Sequence, residues 1–286
     1  ARHATHPMSA ALYQGCDVAL LTQHGKEALL RAPLAQGLGC RLVHTDQFDT
    51  DRLGSFTGDI PRQGSQLQAA RAKAQLALAL TELPLALASE GAFGPDPYTG
   101  MMPWDLEILL WCDPQRELEV VGQADGAAMH LQRDVDDWEA MLAFATSAQF
   151  PSHHLVLRTA DPTGPVFKGL RDEAALRDAF LRCQSHGGAV CAESDLRAHA
   201  NPTRQRVIVQ AAHNLVAKLQ SHCPRCHLPG FWLSQHTPGL PCRVCFKPTR
   251  LPVEEIWQCP ACQLQEARRL QLKQFADPAH CDACNP

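Results

Sequence analysis

The chain has 286 residues, of which 45% are hydrophobic and 20% are charged. This composition excludes collagen-like, largely disordered and small disulfide-stapled proteins, and the length suits about two domains. Lysine and arginine total 26 against 30 acidic residues, a formal charge of -4, so the whole molecule does not attract nucleic acid or anionic lipid. The longest apolar run, residues 76–88, is interrupted by Glu82 and Pro84 and is too short to span a bilayer. We therefore expect a soluble, cytoplasmic protein without a membrane partner.

Composition divides the chain into four regions. Residues 1–15 form a leader that we expect to be poorly ordered. Residues 16–220 alternate strand and helix patterns, which predicts an α/β domain. Residues 221–250 and 251–286 contain paired cysteines and predict two small zinc-ribbon modules.

Hydrophobic periodicity predicts the elements of the α/β domain. Helices are predicted at residues 27–38, 66–81, 138–148, 173–185 and 204–220. Strands are predicted at residues 17–22, 40–44, 85–89, 106–112, 118–122, 154–158 and 189–192. The short turn at residues 113–116 makes the two strands around it antiparallel, so the predicted sheet is mixed.

Eight cysteines after residue 220 fall into four Cys-x2-Cys pairs, a spacing typical of zinc ribbons. The pairs are Cys223 with Cys226, Cys242 with Cys245, Cys259 with Cys262, and Cys281 with Cys284. Four thiolates complete a tetrahedron around Zn2+ and leave no position for water, so the sites are predicted to be structural. Consecutive pairs would form two sequential ribbons, and crossed pairing of the first with the third and the second with the fourth is the alternative.

Three stretches, in this order, resemble the inosine triphosphate pyrophosphatase superfamily, whose members hydrolyse non-standard nucleoside triphosphates to monophosphate and pyrophosphate. Residues 20–26 (LLTQHGK) are similar to the family's first strand and phosphate loop. Residues 65–74 (SQLQAARAKA) are similar to the helix that carries a second lysine, and residues 83–91 (LPLALASEG) to the strand before the catalytic acid. Residues 198–204 (AHANPTR) are a weaker match to its base-contacting segment.

The resemblance implies a Mg2+-dependent phosphoanhydride hydrolase, since this chemistry needs a metal ion, a positioned water and cations over the developing charge. Glu90 is the candidate for binding the metal or activating water, and Lys26 and Lys73 are the candidate phosphate contacts. Lys26 also precedes a helix whose free N–H groups attract phosphate. The further candidates for binding metal or nucleotide are Asp96, His199, Asn201 and Arg204.

A loop between the second strand and the second helix is rich in acidic residues. These acids are either additional metal ligands or solvated turn residues. They are Asp46, Asp49, Asp51 and Asp59.

Two departures from the pyrophosphatase pattern keep other functions open. Ala69 stands where those enzymes have an asparagine, and Ser89 with Glu90 replaces their paired aspartates. The second interpretation is a non-catalytic module that binds nucleotide or RNA, in which basic residues of the first ribbon grip a strand. A third is a protein-binding scaffold. The oligomeric state does not follow from the sequence.

The whole chain, including its double ribbon, also resembles a bacterial family known as a domain of unknown function. The similar segments are residues 55–66 (SFTGDIPRQGSQ), 88–97 (ASEGAFGPDP) and 195–204 (DLRAHANPTR). This resemblance implies no activity.

Overall fold

The computed structural model describes residues 12–48, 64–161, 163–187, 189–270 and 274–286. Within these ranges the α-helices are α1 (Lys26–Leu38), α2 (Gln66–Thr81), α3 (Trp138–Ser147), α4 (Glu173–Ser185) and α5 (Pro202–Gln220). The strands are β1 (Asp17–Leu21), β2 (Arg41–Thr45), β3 (Ala86–Pro95), β4 (Pro103–Asp113), β5 (Leu118–Ala127), β6 (Gln132–Val135), β7 (Leu155–Thr159), β8 (Val166–Leu170), β9 (Val190–Ser194), β10 (Trp232–Pro238), β11 (Pro252–Gln258) and β12 (Gln265–Arg269).

The first sheet has the strand order β2-β1-β3-β4-β5. Strand β1 pairs in parallel with β2 and β3, whereas β3, β4 and β5 form an antiparallel meander. The predicted mixed sheet is therefore confirmed. Strand β1 reads DVALL and is buried over four consecutive residues, as expected of a central strand covered on both faces.

Helices cover both faces of this sheet. One face packs against α1 and α5 through a core that includes Leu20, Leu87 and Leu109. The other face packs against α2, whose Ala70 and Ala74 allow close approach to the strands. Because side chains alternate along a strand, neighbouring residues of β3 and β4 belong to different faces, which decides where each charged group lies.

A second sheet, with the order β6-β9-β7-β8, is antiparallel throughout. Its inner face forms a separate core with α3 and α4. The sequence prediction missed β6 and β8. Strand β6 exposes three of its four residues and β8 alternates exposed and half-buried residues, so neither carries the apolar run of a buried strand.

Two predicted boundaries need correction. Tyr13 is buried against Trp111, with ring centroids 4.7 Å apart, so the packed domain begins before residue 16; residues 1–11 lie outside the described part. In the tail, β10 pairs with β11, and β11 with β12. This single sheet crosses the predicted boundary between residues 250 and 251, because antiparallel hydrogen bonding joins strands from both predicted modules.

None of the helices in the described ranges combines the length and the apolar character needed to cross a bilayer.

Gly122 of β5 tests the packing of α5 on the first sheet. A Cβ at this position would lie 2.6 Å from the backbone nitrogen of Leu215 in α5, whereas a Cβ at Gly126 would lie 3.7 Å from Val207. We expect Gly122→Ala to lower the free energy of unfolding by about 2 kcal/mol, because overpacking forces a backbone shift. Chemical denaturation measures the change. The control Gly126→Ala, on the same strand, should stay within about 1 kcal/mol of the wild type, and equal behaviour of the two variants would contradict the predicted packing.

Candidate functional site

The loop between β1 and α1 is the segment for which the sequence predicts phosphate binding. Gly25 precedes the first helical residue with φ 71°, and no side chain caps the helix there. A Cβ on Gly25 would lie 3.4 Å from Cβ of His199, so the loop packs against the segment before α5. Two motifs that are far apart in the sequence therefore meet.

A cavity of about 450 Å³ lies between this loop, the end of β2 and the segment before α5. It combines hydroxyl, imidazole, carboxylate and guanidinium groups. The rings of His24 and His199 lie beside each other in its lining, with centroids 6.1 Å apart. Its lining residues are Thr22, Gln23, His24, Gly25, Glu27, His44, Asp46, Arg197 and His199.

The charged groups of this cavity are partly neutralised. Arg197 forms an ion pair of 2.6 Å with Asp195. Burial, followed by the charge of Arg197, lowers the pKa of His199, so its imidazole is neutral at pH 7 and contributes hydrogen bonds rather than positive charge.

Lys26 does not line the cavity but extends beneath it. Its Nζ lies 2.9 Å from Oγ of Ser89 and 3.4 Å from Oε2 of Glu107, and the residue is only 6% exposed. Burial lowers the pKa of Lys26 to about 8, although Glu107 opposes the change. The ammonium therefore stays mostly protonated at pH 7 and binds an internal acid.

Glu107 of β4 accepts hydrogen bonds from two cations. Its Oε1 lies 2.5 Å from Nε of Arg204, in the first turn of α5, and its Oε2 faces Lys26. Burial alone would raise the pKa of this fully buried carboxyl, but Arg204 and Lys26 outweigh burial and lower it. A Cβ on the facing Gly91 would overlap the ends of both Glu107 and Arg204, so a side chain there would displace this ion pair.

Asp105, two residues before Glu107 on the same strand, is 1% exposed. Neither carboxylate oxygen has a hydrogen-bond partner among the described residues. Burial, followed by the nearby charge of Glu107, raises the pKa of Asp105 to about 7. This group therefore takes up a proton at a pH where most aspartates are ionised.

Glu90 and Lys73 lie on the opposite face of the sheet. Glu90 pairs across the strands with Ile108, which belongs to the core beneath α2. Its Oε1 lies 2.6 Å from Nζ of Lys73 in α2. The structure therefore brings Glu90 and Lys73 together and places Lys26 in a different cluster.

The remaining predicted residues have local roles. Asp96 accepts hydrogen bonds from four backbone N–H groups of the β3–β4 turn, which lower its pKa far below the usual range. Asn201 caps α5 by accepting from the backbone N–H of Arg204. Asp46 and His199 reach the cavity. The predicted loop acids Asp49, Asp51 and Asp59 lie outside the described residues.

Sequence reasoning missed Asp105 and Glu107. The signal was present, since WDLEILLW carries acids at alternate positions of an otherwise apolar run. Period-two alternation places both acids on one face of a strand, and buried acids need partners.

The tail contains two clusters of four cysteines, and each draws on pairs that are not consecutive. Cys223 and Cys226 join Cys259 and Cys262, and Cys242 and Cys245 join Cys281 and Cys284. This is the crossed pairing, so the prediction of two sequential ribbons is wrong. The physical reason is the β10–β11–β12 sheet, which brings the first pair beside the third.

The geometry of both clusters fits Zn2+. Within each cluster the sulfur atoms lie within 4.8 Å of one another. Examples are 3.6 Å between Cys223 and Cys262 and 3.5 Å between Cys245 and Cys281. A tetrahedron with Zn–S bonds of about 2.3 Å requires sulfur separations of about 3.8 Å. The two four-cysteine clusters could therefore hold two zinc ions, with all four positions of each ion filled by protein.

All four knuckles repeat one backbone pattern. The residue after the second cysteine of each pair donates its N–H to the carbonyl oxygen of the first. In three of them, at His227, Phe246 and Gln263, this residue also has positive φ. The bonds are His227 to Cys223, Phe246 to Cys242, Gln263 to Cys259 and Asn285 to Cys281.

Double variants distinguish crossed from sequential pairing. Cys223→Ser with Cys259→Ser removes two ligands from one cluster, so we expect the purified chain to retain one zinc ion. Cys223→Ser with Cys242→Ser damages both clusters and should lose both ions. Elemental analysis of the purified variants measures the zinc content. One zinc ion retained by the second variant and none by the first would restore sequential pairing.

The buried carboxyl of Asp105 makes folding stability depend on pH. Its folded pKa is raised, so its contribution to stability is complete below about pH 4 and is lost as pH rises through about 7. Asn at this position stays neutral. We expect the stability of Asp105→Asn relative to the wild type to increase by at least about 1 kcal/mol between pH 4.5 and pH 7.5.

Denaturation at several pH values measures this effect. Asp134→Asn, on the exposed strand β6, is the control and should follow the wild type. If the stabilities of Asp105→Asn and the wild type changed in parallel with pH, Asp105 would be ionised throughout this range.

A protein-family model described as a domain of unknown function, DUF6671, matches residues 73–286. None of the curated proteins compared with the chain matches it. Neither finding shows the resemblance to the inosine triphosphate pyrophosphatases. The match covers the eight tail cysteines, Glu107 and Arg204, and it begins after the β1–α1 loop and Lys26. Since the model covers well over half of the sequence, the chain belongs to the DUF6671 family.

Proposed function

We propose that the α/β domain binds a nucleoside polyphosphate in the cavity beside the β1–α1 loop, while the four-cysteine clusters hold structural zinc. The observation that carries this proposal is the meeting of the loop with the segment before α5. Gly25 and His199 pack together there, and Arg197 lines the same cavity.

The chemistry of the loop suits a phosphate group. The N-terminus of α1 has backbone N–H groups that no side chain caps, and the helix dipole adds a partial positive charge. The hydroxyl of Thr22 and the imidazoles of His24 and His199 offer further hydrogen bonds. Because Arg197 is already paired with Asp195, hydrogen bonds outweigh net charge in this site.

Hydrolysis of the bound phosphoanhydride, with Mg2+, is a second candidate function, favoured by the carboxylate of Asp46 on the cavity wall. Among the described side chains, only the two four-cysteine clusters bring three or more His, Cys, Asp or Glu ligands together. A Mg2+ ion would therefore need the phosphates of the nucleotide as ligands, which is common for this ion. Glu90 is not available for this role while Lys73 neutralises it.

The tail gives weaker support for a nucleic-acid partner. The basic residues predicted to contact nucleic acid in residues 221–250 are Arg225, Arg243, Lys247 and Arg250. Arg243 pairs with Asp277 and Arg250 with Asp282. Each four-cysteine site would carry a formal charge of about −2 with Zn2+ bound. Arg225 lies at the cluster of Cys223, where its backbone N–H donates to Sγ of Cys223. Binding of RNA or of a protein to the tail remains a prediction from the sequence.

A negative charge introduced into the cavity tests nucleotide binding. We expect His199→Glu to weaken the affinity for nucleoside triphosphates at least tenfold, because a carboxylate there repels the phosphates. Calorimetric titration with a nucleotide panel and with inorganic tripolyphosphate measures the affinity. The matched control is His213→Glu, the same substitution on the exposed surface of α5, which should bind within twofold of the wild type.

Absence of binding by the wild type would refute the proposed ligand. Release of pyrophosphate in the presence of MgCl2, lost in Asp46→Asn, would support the second candidate. Binding without pyrophosphate release would leave a non-catalytic nucleotide-binding domain.

A further inference from the structure

We infer that Glu107 is a positioning residue that joins the two walls of the cavity and sets the distance between them. One wall is the loop of residues 22–25, and the other is the segment of residues 195–199. Glu107 itself lies beneath the cavity and is not part of its lining. Only the predicted loss of ligand affinity rests on the proposed function.

The contacts of Glu107 lead to both walls. Its Oε2 faces Nζ of Lys26, the residue that follows the loop. Its Oε1 accepts from Nε of Arg204, and Nη1 of the same guanidinium lies 2.5 Å from the carbonyl oxygen of Leu196 in the second wall. One carboxylate therefore connects the loop with the opposite segment through two cations.

The surroundings of Glu107 hold this arrangement in place. Lys26 has a second anchor on Ser89, and the guanidinium of Arg204 lies 5.4 Å from the ring centre of Phe93. Gly91 leaves room for the pair, since any side chain there would overlap both partners. The carboxylate is fully buried, so in the native structure the two cations, rather than bulk water, balance its charge.

A buried ion pair is poor evidence for stability, because desolvation offsets the attraction between the charges. Replacing a buried ion pair by apolar residues of similar volume is often neutral or stabilising. Lys26 of α1 and Arg204 of α5 meet at one acid of β4, and this contact fixes the position of the first turn of each helix. Both helices begin beside the cavity.

The experiment compares Glu107→Gln with the wild type in the full zinc-loaded chain. Gln keeps the shape of the side chain but removes the charge, so both cations lose their counter-ion. We expect amide hydrogen exchange to become at least tenfold faster in residues 22–25 and 195–199 together, and the affinity for inorganic tripolyphosphate to fall at least tenfold. NMR titration of labelled lysine should also show a lower pKa for Lys26, since Glu107 raises it.

Asp113→Asn is the matched control. Asp113 is a fully buried acid at the other end of β4, bonded to Tyr13 and Arg116. Its loss should reduce stability but leave exchange in both walls and the affinity for tripolyphosphate within twofold of the wild type. If Asp113→Asn loosens both walls as much as Glu107→Gln, Glu107 has only a general structural role and the inference is overturned.

A second variant keeps the inference testable if Glu107→Gln does not fold. Lys26→Gln leaves the pair of Glu107 and Arg204 intact, so exchange should accelerate in residues 22–25 and not in 195–199. Unchanged exchange in the loop would overturn the inference. Failure of wild-type tripolyphosphate binding would refute the proposed function alone, because the exchange measurements need no ligand.

Discussion

The buried carboxylate of Glu107 needs cationic hydrogen-bond partners inside the protein, and this requirement fixes how the elements of the α/β domain are arranged around it. A buried charge without partners costs several kcal/mol, and the partners here are Lys26 and Arg204. These cations come from the starts of α1 and α5, so the acid fixes two helices against one strand. The candidate cavity lies between the segments that lead into those helices.

The opposite face of the same sheet contains a second ion pair, Lys73 with Glu90. Cations and acids that the sequence predicted as one set are thus divided between two faces. Glu90, paired with Lys73, does not line the cavity formed by Asp46, Arg197 and His199. Phosphate binding by backbone N–H groups fits this cavity better than binding by lysine side chains.

In the tail, metal ligands and the sheet depend on each other. Strands β10, β11 and β12 bring knuckles from distant parts of the tail together, and zinc would fix the strands in turn. The first cluster follows α5 directly, and Gly230 beside it approaches Val120 of β5. The four-cysteine cluster nearest the α/β domain is therefore packed on its sheet.

The sequence by itself determined the elements whose pattern is local: α2 and α4 at their observed bounds, the β4–β5 hairpin, and the cysteine knuckles, because periodicity, caps and ligand spacing act over a few residues. It missed β6 and β8, whose half-exposed faces lack an apolar signature, and the acids Asp105 and Glu107. Only the tertiary structure decided which cysteine pairs share a cluster, which face each charge occupies, and that residues 22–25 meet 195–199. These depend on contacts between segments far apart in the chain, and the spacing of residues along the sequence does not encode the distances across a sheet.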